Sequence, residues 1–187
     1  MGKRRAKTWL LANIGIGSLV MFSYAAFSQK GNVGTMPGQK VDWGLFLPAG
    51  EGKFETSVNC ITCHSLQPIV SDRRFDETGW THTVQTMQYT NDANIQPDDA
   101  AVIAKYLTRF FGQSTPKLEL PIYINAAPKE TLLQLGALSD GDVQKILDAR
   151  SQKRIDGVST LDAIVGSGKL AKYRSFISFE DGPGKSK

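Results

Sequence analysis

The clearest pattern of apolar and polar positions lies between Pro97 and Gly112. A proline followed by two aspartates is typical of a helix start, and a glycine is typical of the position just after a helix end. The apolar residues between them recur every three or four positions, which places them on one face of a helix. They are Val102, Ile103, Tyr106, Leu107 and Phe110. The pattern predicts a helix with one buried face.

Other segments also carry helical spacing, so the sequence predicts an all-α protein. Residues 48–59 predict a turn and a short helix, with Glu51 and Glu55 favourably placed near its start. Four further helices are predicted after Gly112: residues 124–135 with Asn125 as cap, residues 140–150, residues 160–165, and a last helix that follows a turn at residues 166–170 and ends near Phe179.

The first 28 residues have the composition of a secretory leader. Four basic residues precede position 8, and residues 8–27 are uncharged and mainly apolar. Small residues suit cleavage after Ala25 or Ser28. The alternative is an uncleaved membrane anchor over residues 8–27, although polar and glycine residues dilute its hydrophobicity. Residues 1–28 therefore predict export to the periplasm, with membrane attachment only if the leader is retained.

Cleavage of the leader changes the charge of the chain. The whole chain has 22 basic and 18 acidic residues, and positions 1–28 hold four basic and no acidic residues, which leaves 18 of each sign in the mature chain. The positive excess thus lies in the leader, where it orients insertion. It is no evidence that the folded protein binds nucleic acid.

The only two cysteines, Cys60 and Cys63, are separated by two residues and followed at once by His64. Covalent attachment of haem needs two thiols about one helical turn apart for the two vinyl groups, and a histidine that points its imidazole at the iron. The sequence Cys-Ile-Thr-Cys-His meets these requirements. It predicts one covalently bound haem c, with His64 as the proximal iron ligand.

Three other interpretations of this motif compete with haem attachment. A thioredoxin-like thiol pair is expected at a helix start among alternating strands and helices, which the sequence does not indicate. A zinc site needs further Cys or His ligands, and only His82 remains outside the motif. A chance match is the third. The export signal favours haem, because it delivers the chain to the compartment where haem c is attached.

The segment from Gly50 to Gly112 resembles class I c-type cytochromes, in which the first and last helices cross beside the haem. Gly52 is similar to the small residue at that crossing, and Tyr106-Leu107 to its partner. Within the family the segment is most similar to the haem modules of sulfite dehydrogenases and quinohaemoprotein dehydrogenases. The resemblance implies a cytochrome c domain over residues 50–113, after a linker over residues 29–49. The matching elements are Cys63-His64-Ser65, Arg73-Arg74, Trp80, Val84, Met87, Ile103, Tyr106-Leu107 and Phe110-Phe111-Gly112.

Elimination leaves Met87 and His82 as candidates for the sixth iron ligand after the motif. A thioether opposite His64 favours ferrous iron and raises the potential, as suits an electron carrier. The resemblance also indicates Met87, and packing in the core is its alternative role. His82 would give bis-histidine ligation, but it precedes Met87 by five residues and points from a different part of the same helix. Met87 is therefore the predicted distal ligand.

Arg73, Arg74 and Trp80 are candidates for contacts with the haem. Either arginine could pair with a propionate, and the indole N–H could donate a hydrogen bond to one. The alternatives are solvated loop arginines and a core tryptophan. The carbonyl that fixes the ring of the ligating histidine is expected at Pro68.

The composition shifts after Gly112. Residues 113–116 are polar and end in a proline, which is typical of a linker. Residues 114–181 resemble the paired helix-hairpin-helix modules of competence-type DNA-uptake proteins, and residues 182–187 predict a loose tail. In that family the hairpin glycines present backbone N–H groups to a nucleic-acid phosphate. The matching elements are Ile124-Asn125-Ala126-Ala127, Ala149-Arg150 and Val165-Gly166-Ser167-Gly168.

Two features of this module argue against DNA binding. The first hairpin, residues 135–139, lacks the second glycine. Residues 114–187 contain 11 basic and 9 acidic side chains, a balance too weak for salt-dependent attraction to DNA. We therefore expect a docking or stabilising module, with nucleic acid disfavoured as a partner.

These features together predict a periplasmic electron carrier, or the haem subunit of a dehydrogenase, whose partner is a redox protein. Such a chain is not expected to be an enzyme by itself. Two alternatives remain. A peroxidase-like haem enzyme would need an open iron site, without Met87 as a ligand. A DNA-uptake or adhesion factor would bind through residues 114–187.

Overall fold

The structure, a computed structural model, describes residues 40–183. The predicted leader or anchor over residues 1–28, most of the predicted linker and the last four residues of the predicted tail lie outside the described residues. Within residues 40–183, no helix combines the length and the apolar character that crossing a bilayer requires.

Helices dominate the described part of the chain, as the sequence predicts. Short 3₁₀ helices at Trp43–Phe46 and Ala171–Phe176 and a one-turn π-helix at Pro68–Asp72 accompany the α-helices. Strand β1 (Ile122–Tyr123) pairs in parallel with β2 (Ile177–Ser178). The α-helices are α1 (Lys53–Cys60), α2 (Glu77–Tyr89), α3 (Pro97–Phe110), α4 (Lys129–Leu133), α5 (Asp140–Gln152) and α6 (Val158–Val165).

Helices α1 and α3 approach each other closely at Gly52, as the sequence predicts. A β-carbon at Gly52 would lie 2.6 Å from Cβ of Tyr106 and 2.9 Å from the carbonyl oxygen of Val102. The φ angle of 90° at Gly52 also lies in the left-handed region that favours glycine. The Tyr106 hydroxyl donates to the carbonyl of Pro48 at 2.7 Å. These contacts fix the start of α1 on α3, while α2 packs along α3 as well.

Part of the segment that the sequence treats as a linker packs into the protein. The side chain of Asp42 accepts a hydrogen bond from the backbone N–H of Gly44 and begins the first 3₁₀ helix. Phe46 and Leu47 are fully buried. The ring of Phe46 contacts Tyr173 and Phe176 edge to face, with centroids 5.8 and 5.4 Å away.

The first hairpin of the C-terminal half lies against this same segment. The backbone N–H of Gly136 donates to the carbonyl of Leu45 at 3.1 Å, and the Gly136 carbonyl accepts from Nζ of Lys53 at 3.0 Å. A β-carbon at Gly136 would lie 2.1 Å from the carbonyl oxygen of Leu47. Glycine is therefore needed here for a close backbone approach, which joins the two halves of residues 40–183.

Two helix predictions in the C-terminal half are wrong in their bounds. Asn125 is no helix cap, because its amide donates to the carbonyls of Ile155 and Phe179 and accepts from the Ile155 N–H. Helix α4 begins only after Pro128. The predicted last helix is a 3₁₀ helix that passes into β2, where the Ser178 carbonyl accepts from the backbone N–H of Ile124. Pairing with β1 thus replaces the last turns of that helix.

Candidate haem site

A cleft of about 190 Å³ brings most of the predicted site residues together. Cys60 lies at the end of α1, His64 follows in the next turn, and α2 supplies Trp80 and Met87. Arg73 lies at the same cleft. The remaining lining is mainly apolar and comes from Pro68, Ile69, Thr83, Val84, Ile95, Ile103 and Leu107. Residues separated by more than forty positions in the sequence therefore share one apolar site.

The imidazole of His64 is oriented by a nearby carbonyl. His64 is exposed, and its Nδ1 lies 2.8 Å from the carbonyl oxygen of Ser65. A protonated Nδ1 donating to this oxygen leaves Nε2 as the nitrogen that can bind a metal. In this structure Ser65 and not Pro68, the residue expected from the sequence, supplies the carbonyl next to Nδ1, and the Pro68 oxygen accepts from the backbone N–H of Arg73 at 2.7 Å.

The thiol of Cys60 lies in apolar surroundings. Burial raises its pKa to about 11. A nucleophilic thiol of the thioredoxin type needs a lowered pKa and lies at the start of a helix. Cys60 is instead the last residue of α1. Cys63 is exposed and lies outside the residues that line the cleft. The surroundings of Cys60 thus disfavour a thiol-exchange site.

Met87 reaches the cleft because of its spacing on α2. Trp80, Val84 and Met87 follow one another at four and three residues, so they share one helix face, and all three line the cleft. The Met87 sulfur accepts a hydrogen bond from Nδ2 of Asn91 at 3.2 Å. His82 is exposed and lies about 140° around the helix from Met87 at 100° per residue. The cleft lining includes Met87 but not His82.

Trp80 has a different partner from the one considered in the sequence. Its side chain is fully buried, and Nε1 donates to the carbonyl of Phe111 at 2.9 Å. The ring of Phe75 packs against it with a centroid distance of 5.0 Å. Because the indole N–H is already bonded, Trp80 contributes a wall of the cleft and not a hydrogen bond to a propionate.

Arg74 is also fully engaged within the protein. Its five guanidinium N–H groups donate to five backbone carbonyls at 2.6–3.0 Å, and the guanidinium lies over the ring of Phe111. No donor of Arg74 is left for a haem propionate. Arg73 remains as the candidate, because it is exposed at the cleft and its side chain has no hydrogen-bond partner within residues 40–183. The carbonyls bound by Arg74 belong to Ile69, Val70, Arg73, Thr115 and Pro116.

The donor set at the cleft suits haem better than a bare metal ion. An imidazole and a thioether are the ligand pair of cytochromes c, and apolar walls are expected around a haem. Across the part of the chain that the structure describes, no group of three or more His, Cys, Asp or Glu side chains could hold a metal ion. The imidazole of His64, the thioether of Met87 and the apolar walls are the kinds of group that a haem would need here.

The sequence alone gave no indication of several residues that shape the site. Ile69 lies in the one-turn π-helix and Ile95 in a loop, and no helical spacing in the sequence marks either residue, yet both are buried at the cleft. Asn91 lies two residues beyond the end of α2, so helical spacing does not predict its contact with the Met87 sulfur. The hydrogen bond between Trp80 and the carbonyl of Phe111 could not be predicted, because every residue has a backbone carbonyl.

Comparisons of this chain with protein-family models, with curated proteins and with solved structures find no match.

Proposed function

We propose that this protein is a mono-haem c-type cytochrome with a class I cytochrome c domain. More specifically, it would serve as a periplasmic electron carrier or as the haem subunit of a dehydrogenase. The observation that carries the proposal is the single apolar cleft that gathers Cys60, His64 and Met87. The cysteine spacing, the export signal and the resemblance to dehydrogenase haem modules support it.

Each residue has a defined role in this proposal. Cys60 and Cys63 would hold the haem through thioether bonds, and His64 and Met87 would bind the iron. The bound haem supplies a centre that gains and loses one electron. Ser65 fixes the ring of His64, and Asn91 contacts the Met87 sulfur. Arg73 would neutralise a propionate at the exposed side of the cleft.

The C-terminal module is proposed to stabilise and dock the haem domain. Its first hairpin uses the N–H and the carbonyl of Gly136 to bind Leu45 and Lys53. The second hairpin, with positive φ at Gly166 and Gly168, has open space around both glycines. This open space, together with the resemblance to DNA-binding hairpins, favours DNA binding as a second candidate, and the nearly balanced charge of the module opposes it.

The experiment that tests the proposal asks whether haem is bound covalently. The full chain is exported in a host that matures c-type cytochromes, denatured, and measured by intact mass and by absorption. We expect one haem per chain to stay bound in the denatured protein. Cys60→Ala and Cys63→Ala should each reduce the attachment, and Ser114→Ala, an exposed position away from the cleft, is the control.

A further inference from the structure

Helix α1 and the residue that caps its C-terminal end carry three exposed apolar side chains in a line. Phe54, Val58 and Ile61 follow one another at four and three residues, which places them on one face, and we call them the α1 stripe. They are 71%, 42% and 56% exposed, respectively. Single exposed apolar residues are ordinary on protein surfaces, whereas a contiguous group of them marks an interaction site.

The α1 stripe lies outside the cleft but beside the haem motif. None of its members lines the cleft. Cys60 lies about 100–160° around the helix from the stripe at 100° per residue. Ile61 is nevertheless bonded to Cys60 and precedes His64 by only three residues. A protein seated on the stripe would therefore lie next to the cysteines that are proposed to hold the haem.

Acidic groups border the α1 stripe. Glu55 lies on the same helix, and Glu51 is exposed two residues before the helix starts. The cation of the helix, Lys53, donates to the carbonyl of Gly136 at 3.0 Å, and the charges of Lys40 and Asp42, which share a cleft with Ile61, offset each other. An apolar centre with an acidic border is complementary to an apolar centre with a basic border.

The size and the charge of the α1 stripe indicate whether it binds a redox partner, a second copy of this chain or another segment of the same chain. The three side chains of the α1 stripe offer far less area than the roughly 1,600 Å² that stable interfaces bury, whereas electron-transfer encounters use small contacts. A second copy of this chain in a two-fold contact would bring Glu51 and Glu55 against themselves. Residues 29–39 of the same chain contain few apolar side chains, with Val33 and Met36 as the largest.

We propose that the α1 stripe is the docking face for a basic redox protein that exchanges electrons with the haem site. This inference rests on the proposed function. The exchange moves one electron, so that one protein is oxidised as the other is reduced, and no proton or covalent bond is transferred. Phe54 and Val58 anchor the partner, and the glutamates steer it.

The test measures electron transfer from the haem-loaded full chain to two acceptors by stopped flow. A small basic c-type cytochrome is the protein probe, and hexaammineruthenium is a small reagent that needs no docking face. The double variant Phe54→Ser with Val58→Ser is compared with Tyr89→Ser, which removes an equally exposed side chain, 71%, from α2. Glu51→Lys is compared with Glu119→Lys, an exposed position outside α1.

The inference predicts a fall of about tenfold in the rate with the protein probe for the double variant, and less than about twofold for Tyr89→Ser. The rate with hexaammineruthenium should stay unchanged in both. Glu51→Lys should slow the protein probe at low salt and weaken its salt dependence, and Glu119→Lys should not.

Three results would overturn the inference while leaving the proposed function intact. They are a double variant with the wild-type rate, an equal fall with both acceptors, and a wild-type dimer that the double variant dissociates. A chain that carries no covalent haem would instead refute the proposed function, and the inference with it. Haem content is therefore measured first for every variant.

Discussion

The guanidinium of Arg74 should be the most sensitive side chain in the loop that follows the haem motif. Five N–H groups of Arg74 bind five carbonyls, three in residues 69–73 and two at Thr115 and Pro116. Lysine keeps the charge but has a single ammonium that cannot reach all five. Arg74→Lys leaves several partly buried carbonyls without a donor, and each costs about 1 kcal/mol or more after water replaces some of the lost bonds. We expect a loss of about 3 kcal/mol.

The assay for this prediction is urea unfolding of the haem-loaded protein, followed by far-UV circular dichroism. With an m-value of about 2 kcal/mol/M, a loss of 3 kcal/mol lowers the midpoint by about 1.5 M. Arg109→Lys is the matched control, because Arg109 is exposed, lies outside the cleft and has no side-chain hydrogen bond within residues 40–183, and lysine can keep its contact with the ring of Phe110. It should change the free energy of unfolding by less than about 0.5 kcal/mol. Equal effects of the two substitutions would refute the proposed role of the five carbonyl contacts.

Two further predictions concern the iron ligand and the stability at low pH. In oxidised spectra of the haem-loaded protein, Met87→Ala should abolish the ferric charge-transfer band of methionine ligation, while His82→Ala should leave it; loss of the band only with His82→Ala would reverse the assignment. Burial acts to raise the pKa of Asp142, but hydrogen bonds from Lys169 and Ser139 outweigh it and lower the pKa to about 2. The ionised Asp142 carboxyl therefore stabilises the folded protein above about pH 4, the ordinary pKa of this group in an unfolded chain. This stabilisation is lost as the pH falls towards 2. Asp142→Asn should lower the free energy of unfolding by on the order of 2 kcal/mol at pH 7 and weaken its dependence on pH, as measured by chemical unfolding. Asp140→Asn, which changes an exposed side chain, should do neither.

Local signals in the sequence were sufficient to predict α1 and α3, two of the helices around the cleft. Pro97 begins α3 as predicted, and Gly112 follows its end closely. The spacing of Trp80, Val84 and Met87 fixes one face of α2, and that face lines the cleft. These features depend on residues within two or three helical turns, so a periodic pattern can reveal them.

Features that depend on distant partners could not be read from the sequence. Gly136 is separated from Leu45 by about ninety positions, and no pattern links them, yet their backbones are bonded. The two-residue strands β1 and β2 are too short to show alternation. From the sequence, the N–H groups of Trp80 and Arg74 were considered available for a propionate. They bind backbone carbonyls instead, and such partners cannot be identified from side-chain identities.

The central claim is that Cys60 and Cys63 attach a single haem beside His64. The intact mass of the exported, denatured full chain tests this most directly, because non-covalent haem is lost on denaturation. Wild-type chains should gain the mass of one haem, and the fraction of chains that carry haem should fall in Cys60→Ala and in Cys63→Ala. Denatured wild-type chains that carry no haem, after export in a host that attaches haem to a control cytochrome, would contradict it.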